Sequence, residues 1–322
     1  MKRYPTIDVL LGVAVGDAIG VPVEFRSRGL LARDPVTGVR GYGSHHQPPG
    51  TWSDDSSLTF CLAEMLCAGY DLDDLAHRFI NWKQHAYWTA HGKVFDIGNG
   101  TAMAIYDLAG GVAPLLAGGD GEDNNGNGSL MRILPLVFYL NDKDIADRFA
   151  ITREVSSLTH RHERSVIACF LYLEMALALL QGKGLSGAYE RICRETADWL
   201  RGAGEAIRQE TDRYFSRILS GKIASCHEAE IPSSGYVIHT LEAALWSLLT
   251  TGGYRDAVLR AVNLGEDTDT TGAVTGGLAA LTYGGETIPA DWLESLARKE
   301  DIQELGRRLA IKTEKQWQKL MS

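Results

Sequence analysis

An all-α fold, a bundle of ten or more helices, is predicted by three features of the sequence. Apolar residues recur at helical period over most of the chain. No run of alternating β-branched residues is bounded by turn signals. The 35 glycines cluster in short Gly/Asn/Asp loops, each feeding a helical pattern. Taken in order, the apolar segment ahead of Pro22 reads as a helix that the proline stops. Residues 57–70 (SLTFCLAEMLCAGY) carry apolar side chains at i, i+3, i+4 and i+7 and end at Gly69, a usual C-terminal signal. Residues 71–88 open with aspartates and then place Leu75, Phe79 and Trp82 on one stripe. Residues 165–180 are apolar nearly all round, which predicts a central helix buried on most sides. Segments 236–249, 254–263, 270–281 and 302–320 complete the set. The connecting loops are 40–50, 96–100, 118–128 and 263–272, while 221–235 follows neither period and reads as a surface connection or an excursion beside the site.

At 322 residues, with no internal repeat, low-complexity tract or Pro-rich linker, the chain is expected to form a single domain over 1–322. A hydrophobic fraction of 45% allows a large core without disulfides and excludes disorder. There are 32 Lys plus Arg against 41 Asp plus Glu, a net charge of −9, with no basic cluster. Phosphate neutralisation needs a basic face, so nucleic acid is excluded and small molecules or cations are favoured as partners. Five cysteines, an odd count without CxxC pairing, sit mostly in apolar helical stretches and suit a reducing, cytoplasmic setting. Lys2 and Arg3 before the short apolar run 9–16 superficially resemble a signal peptide, but Pro5 and Asp8 interrupt it. No uninterrupted apolar run reaches the roughly 18 residues of a membrane span, so no membrane partner is expected.

Two acidic clusters carry most of the chemical information: WSDDS at 52–56 and GEDTDTTG at 265–272. Either one alone would be explained by helix capping. Two clusters of similar plan, each pairing carboxylates with hydroxyls, instead fit hard cations that take oxygen ligands. Zinc is disfavoured because the nine histidines show no HExxH or comparable spacing. The loop from Asp120 has the composition of an EF-hand but places Asn125 at the sixth position and Met131 at the twelfth, where Gly and Glu are required. Its tail, NGSLMR at 127–132, reads as a close approach of backbone to ligand followed by a helix N-terminus able to bind an anion. There is no GxxxxGK[ST] and no GxGxxG between strand and helix, so nucleotide folds of those types are excluded. The residues by themselves leave Glu24 as an exposed charge, Asp96 as a cap and His160 as a structural histidine.

The ordered set GxxxGDAxGxPxE (12–24), WSDDS (52–56), DIGNGT (96–101), NGNGSLMR (125–132), TH (159–160), SGYV (234–237) and GEDTDTTGAVTGGLA (265–279) resembles the ADP-ribosylglycohydrolase family. The resemblance runs from about residue 7 to residue 282. It implies an orthogonal all-α bundle with a loop-lined cleft holding two Mg2+ or Mn2+ ions. By motif, Ser53, Asp54 and Asp55 match the first metal-binding triplet, with Ser53 replacing the usual threonine, and Asp267, Asp269 and Thr270 match the second. Glu24 and Asp96 match the carboxylates near the reacting centre, Glu24 being favoured as general acid/base. Gly98, Gly100, Asn127, Gly128, Ser129, Met131 and Arg132 match loop positions around ADP-ribose, and His160 and Tyr236 match residues at the nucleotide end.

The implied reaction is removal of ADP-ribose from a modified acceptor, first of all ADP-ribosyl-arginine on a protein. Hydrolysis of O-linked ADP-ribose, from serine or from O-acetyl-ADP-ribose, is the alternative inside the family. An immunity or binding protein that neutralises a partner ADP-ribosyltransferase is the alternative outside it, and the intact Asp54, Asp55, Asp267 and Asp269 favour catalysis. Loops 36–50 and 221–235 are expected on the acceptor side.

Overall fold

A computed structural model describes residues 4–321, with side chains through Glu314. Twelve helices of seven residues or more are present among the described residues: α1 (Pro5–Gly20), α2 (Asp54–Ala68), α3 (Leu72–His85), α4 (Asn99–Ala109), α5 (Ile145–Ser157), α6 (Glu163–Leu180), α7 (Leu185–Arg191), α8 (Glu205–Tyr214), α9 (Val237–Leu249), α10 (Tyr254–Val262), α11 (Thr268–Tyr283) and α12 (Lys299–Met321). Among these residues there are no strands, only isolated bridges pairing Gly119 with His160 and Gly126 with Tyr236. The all-α expectation is met.

Local chemistry sets the helix ends. The Ser53 hydroxyl accepts from the Asp55 N–H at 3.3 Å, so α2 begins three residues earlier than its apolar period. Asp71 caps α3 by accepting from the N–H groups of Asp73 and Asp74 at 2.9 and 3.1 Å. This helix stops at His85 rather than 88, because Ala86 turns into the left-handed region at φ 53°. α6 is buried from Arg164 to Leu179 and forms the central rod that the sequence predicts. Residues 128–132 depart from expectation: they form turns, then a 3-10 turn at Leu134–Leu136 and the four-residue helix Val137–Leu140. Pro135 supplies no N–H and disfavours helical backbone before it, so no helix N-terminus follows NGSLMR.

The most intimate contact lies between α1 and α11. A Cβ on Gly16 would sit 2.1 Å from the Gly272 carbonyl oxygen, one on Gly272 2.4 Å from that of Gly16, and one on Gly276 2.2 Å from that of Gly12. At the site end, a Cβ on Gly20 would lie 2.4 Å from the Asp269 Cα. Backbone therefore rests on backbone. Tyr254 donates its hydroxyl to the Gly12 carbonyl at 2.8 Å, and Thr268 donates to that of Gly20 at 2.8 Å, so the two helices are pinned at both ends. The segment Pro5–Val23 proves long and apolar enough to cross a membrane, unlike the sequence reading, but 89% of its apolar window is buried within the fold. It is a core helix, wrapped by α11 and α12.

Gly16→Ala is expected to destabilise the protein by about 3 kcal/mol or more, since neither backbone can retreat without moving a whole helix. Gly187→Ala in α7, where a Cβ meets nothing within 4 Å, should instead be neutral or stabilising by about 0.5–1 kcal/mol. Denaturant unfolding of the two variants checks both.

Candidate active site

The seam delivers two loop junctions to one place. At the end of α1, Pro22 ends the helix and leaves Glu24, 5% exposed, at the wall of a cleft. At the start of α11 stand Asp267, Asp269 and Thr270. Oxygens of Glu24, Asp267 and Asp269 come within 4.8 Å of one another. The first turn of α2 adds Asp54 and Asp55, and the Thr270 hydroxyl reaches Asp55 Oδ2 at 3.3 Å. Ser53, the departure from threonine, still places its hydroxyl 3.2 Å from the same oxygen.

A residue that the sequence reading passed over fixes this turn. Asp17, fully buried in α1, accepts from the N–H groups of Ser53 (2.9 Å) and Ser56 (3.1 Å) and from the Ser56 hydroxyl (2.5 Å). It acts as a capping carboxylate for α2 supplied from another helix. Burial pushes its carboxyl up to about 7, against the hydrogen bonds that lower it. An acidic residue amid an apolar helical run was the available signal.

The cleft has a volume of about 360 Å3, within the range of small-molecule sites. Glu24, Asp54, Asp55, Asp267 and Thr270 line its acidic end, and Asp96 stands on the loop entering α4. The rest of the wall is Gly98, Gly100, Asn127, Gly128, Met131, His160 and Gly235. Asn127 donates through Nδ2 to Asp267 Oδ2 at 2.7 Å, and its N–H donates to the Gly235 carbonyl at 3.0 Å, tying the 118–128 loop to the end of 221–235. Ser129 and Arg132 stand elsewhere, fully buried behind the wall. Ser129 Oγ meets Cys169 Sγ at 3.4 Å, and the Arg132 guanidinium lies over the Phe79 ring at 4.9 Å. Tyr236 contributes backbone to the bridge with Gly126 and packs its ring edge-on against His239. A larger groove of about 830 Å3, between Leu116, Phe149 and Glu210, has no comparable carboxylate convergence.

Arg132 nonetheless acts on the cleft at one remove. It donates to the Thr159 hydroxyl at 2.8 Å, and that hydroxyl sits 2.9 Å from His160 Nδ1. With a lone pair committed to the guanidinium, Thr159 can give its proton to Nδ1, leaving Nε2–H as the free donor beside Gly100 and Gly126. Burial, with Arg132 nearby, pushes His160 down to about 3, so the imidazole is neutral. A Cβ on Gly128 would come within 2.7 Å of its ring, which is why glycine stands there. His45, also passed over, lies on the opposite wall: its Nε2 hydrogen-bonds Glu24 Oε2 and stands 3.9 Å from Asp96 Oδ1.

Electrostatically the floor is an uncompensated acid cluster. Burial first, then the neighbouring carboxylates, push Asp54, Asp55 and Asp269 well above the usual range and Glu24 up to about 10. Asp55 Oδ1, Asp267 Oδ1 and Asp269 Oδ2 are buried with no hydrogen-bond partner. Orphaned carboxylate oxygens flanked by Ser and Thr hydroxyls are the donor set that Mg2+ or Mn2+ takes, and the residues fit such ions.

The linkage sign follows. Carboxyls with raised folded pKa hold protons that the unfolded chain gives up above about pH 4, so cation-free protein should lose stability as pH rises towards the folded values, about 7 for Asp17 and about 10 for Glu24. In chelator, melting temperature is expected to be lower at about pH 8 than at about pH 5, and added Mg2+ or Mn2+ should raise it more at the higher pH. Calorimetry under the four conditions checks this.

The sequence model of the family described as ADP-ribosylglycohydrolase matches residues 6–319. ADP-ribosylarginine hydrolase Tri1 of Serratia proteamaculans (strain 568) is 33% identical over 304 residues, covering 93% of this chain and 77% of that protein. ADP-ribosyl-[dinitrogen reductase] glycohydrolase of Rhodospirillum rubrum is 29% identical over 306 residues, covering 91% and 90%. A solved structure titled ADP-ribosylglycohydrolase-related protein complex superposes with a TM-score of 0.78 at 30% identity, covering 96% of this chain and 98% of that one. With the motifs in order, the fold matched and the acidic cleft in place, the chain belongs to the ADP-ribosylglycohydrolase family.

Proposed function

We propose that this enzyme hydrolyses the N-glycosidic bond of ADP-ribosyl-arginine on a protein, with two Mg2+ or Mn2+ ions as cofactors. The observation that carries the reading is the convergence of Ser53, Asp54 and Asp55 with Asp267, Asp269 and Thr270 on one floor, orphaned oxygens among them, beside glycine-walled space for a nucleotide. Two relatives at 32–33% identity, each named ADP-ribosylarginine hydrolase Tri1, support arginine as the acceptor.

The chain's own residues divide the work. Ser53, Asp54, Asp55, Asp267, Asp269 and Thr270 would hold the ions, which when bound supply positive charge for the ribose hydroxyls. Gly98, Gly100 and Gly128 let backbone approach the pyrophosphate, and His160 offers Nε2–H as a neutral donor. Ser129, Arg132 and Tyr236 support this end from behind, Arg132 through Thr159. Water adds its oxygen to the anomeric carbon as the bond to the guanidine nitrogen breaks, and the departing guanidine takes up a proton. Glu24 is the general acid/base that moves the proton, its carboxyl held by His45, while Asp96 faces the same pair.

Asp269→Ala is expected to abolish ADP-ribose release from an ADP-ribosyl-arginine peptide together with Mg2+-dependent thermal stabilisation. Glu24→Gln should lower kcat by about 10²- to 10⁴-fold. Chromatographic detection of ADP-ribose tests both; full turnover by the Asp269→Ala protein would defeat the two-ion reading.

A further inference from the structure

The residue after Glu24 is unusual in three ways. Phe25 lines the cleft yet is 71% exposed, making it one of the most exposed large apolar side chains described. Its backbone is left-handed, φ 63°, a conformation that a β-carbon disfavours. It is also clamped there: its N–H donates to the Glu266 carbonyl at 2.7 Å, and the Glu266 N–H donates to the Arg26 carbonyl at 2.8 Å. Glu266 is left-handed too, at φ 61°. The two segments that carry Glu24 and Asp267 are thus tied to each other beside the site, and the Phe25 ring is fixed in relation to both.

The inner side of the ring meets His45, centroids 5.7 Å apart, and His45 in turn meets Phe95 at 5.2 Å. This aromatic wall stands at the Glu24 end of the cleft. The glycine loops and His160 line the other. An anionic nucleotide has donors only at the glycine end, so the group attached to the anomeric carbon leaves past Glu24 and Phe25. A rigid, apolar, solvent-facing ring offers no hydrogen bond to a hydroxyl acceptor, but it attracts a planar cation laid on its face. The acidic end around it adds no competing positive charge.

We propose that Phe25 is a specificity-determining platform on which the guanidinium of the ADP-ribosylated arginine stacks, selecting arginine-linked over O-linked substrates; this rests on the arginine reading above. Kinetics of wild type, Phe25→Leu and Phe25→Trp on an ADP-ribosyl-arginine peptide and on O-acetyl-ADP-ribose, with titration of free ADP-ribose, test it. Phe25→Leu is expected to raise KM for the arginine-linked substrate about fivefold or more, with a smaller effect on kcat, while ADP-ribose affinity and the O-linked KM do not shift. Phe25→Trp should restore the arginine-linked KM. An unchanged KM ratio in Phe25→Leu, or equal losses for both substrates and for ADP-ribose, would overturn the platform while leaving arginine hydrolysis intact. Absence of any arginine-linked turnover in the wild type would overturn both readings, and is seen before a variant is made.

Discussion

Everything at the active site hangs on two helices touching through glycine. At Gly12, Gly16 and Gly20 of α1 and at Gly272 and Gly276 of α11, the backbone of one helix occupies the space that a β-carbon of the other would need. That closeness sets where Pro22 ends α1 relative to where Asp267 begins α11. Glu24, Asp267 and Asp269 share a few ångströms only because the seam permits no wider spacing. Asp17 extends the constraint to a third element, since the hydrogen bonds it accepts fix the Ser53–Ser56 turn to α1 rather than to its own helix. Three segments far apart in the chain thereby present carboxylates to one point.

Such an arrangement is costly in isolation. Five buried carboxylates that raise one another's pKa values make the cation-free floor a place where like charges crowd and oxygens go unpaired. The packing that enforces the crowding is apolar and lies well away from it, in α6 and along the seam. Function and stability are therefore supplied by different parts of the molecule, the scaffold tolerating locally what it compensates elsewhere.

Much of this was legible in the sequence. Periodicity located α2, α3, α6, α9, α10, α11 and α12, since each buries a continuous apolar face, and the paired WSDDS and GEDTDTTG clusters pointed to hard cations by residue type alone. Shorter or more polar helices, such as α5 and α8, escaped because tertiary contacts rather than local pattern hold them. Within the site, the hidden information was relational. Asp17 reads as a helix residue until its partner turn is seen, and His45 as one histidine of a polar loop. Arg132 reads as a ligand contact, although it sits behind the wall and acts through Thr159. A motif records which residue types recur, not which of them touch the cleft.

The seam also has a consequence for biosynthesis. Thr268 closes on Gly20 across 248 residues of chain, so α1, the most membrane-like helix of the molecule, leaves the ribosome long before its partner exists. At about 5–20 residues per second, the delay is of order ten to fifty seconds. Throughout that interval the most apolar surface of the fold has no native cover, and the chain must depend on transient collapse or on a chaperone until α11 emerges. The glycines that let the finished enzyme pack so closely thus also set how long the nascent one stays exposed.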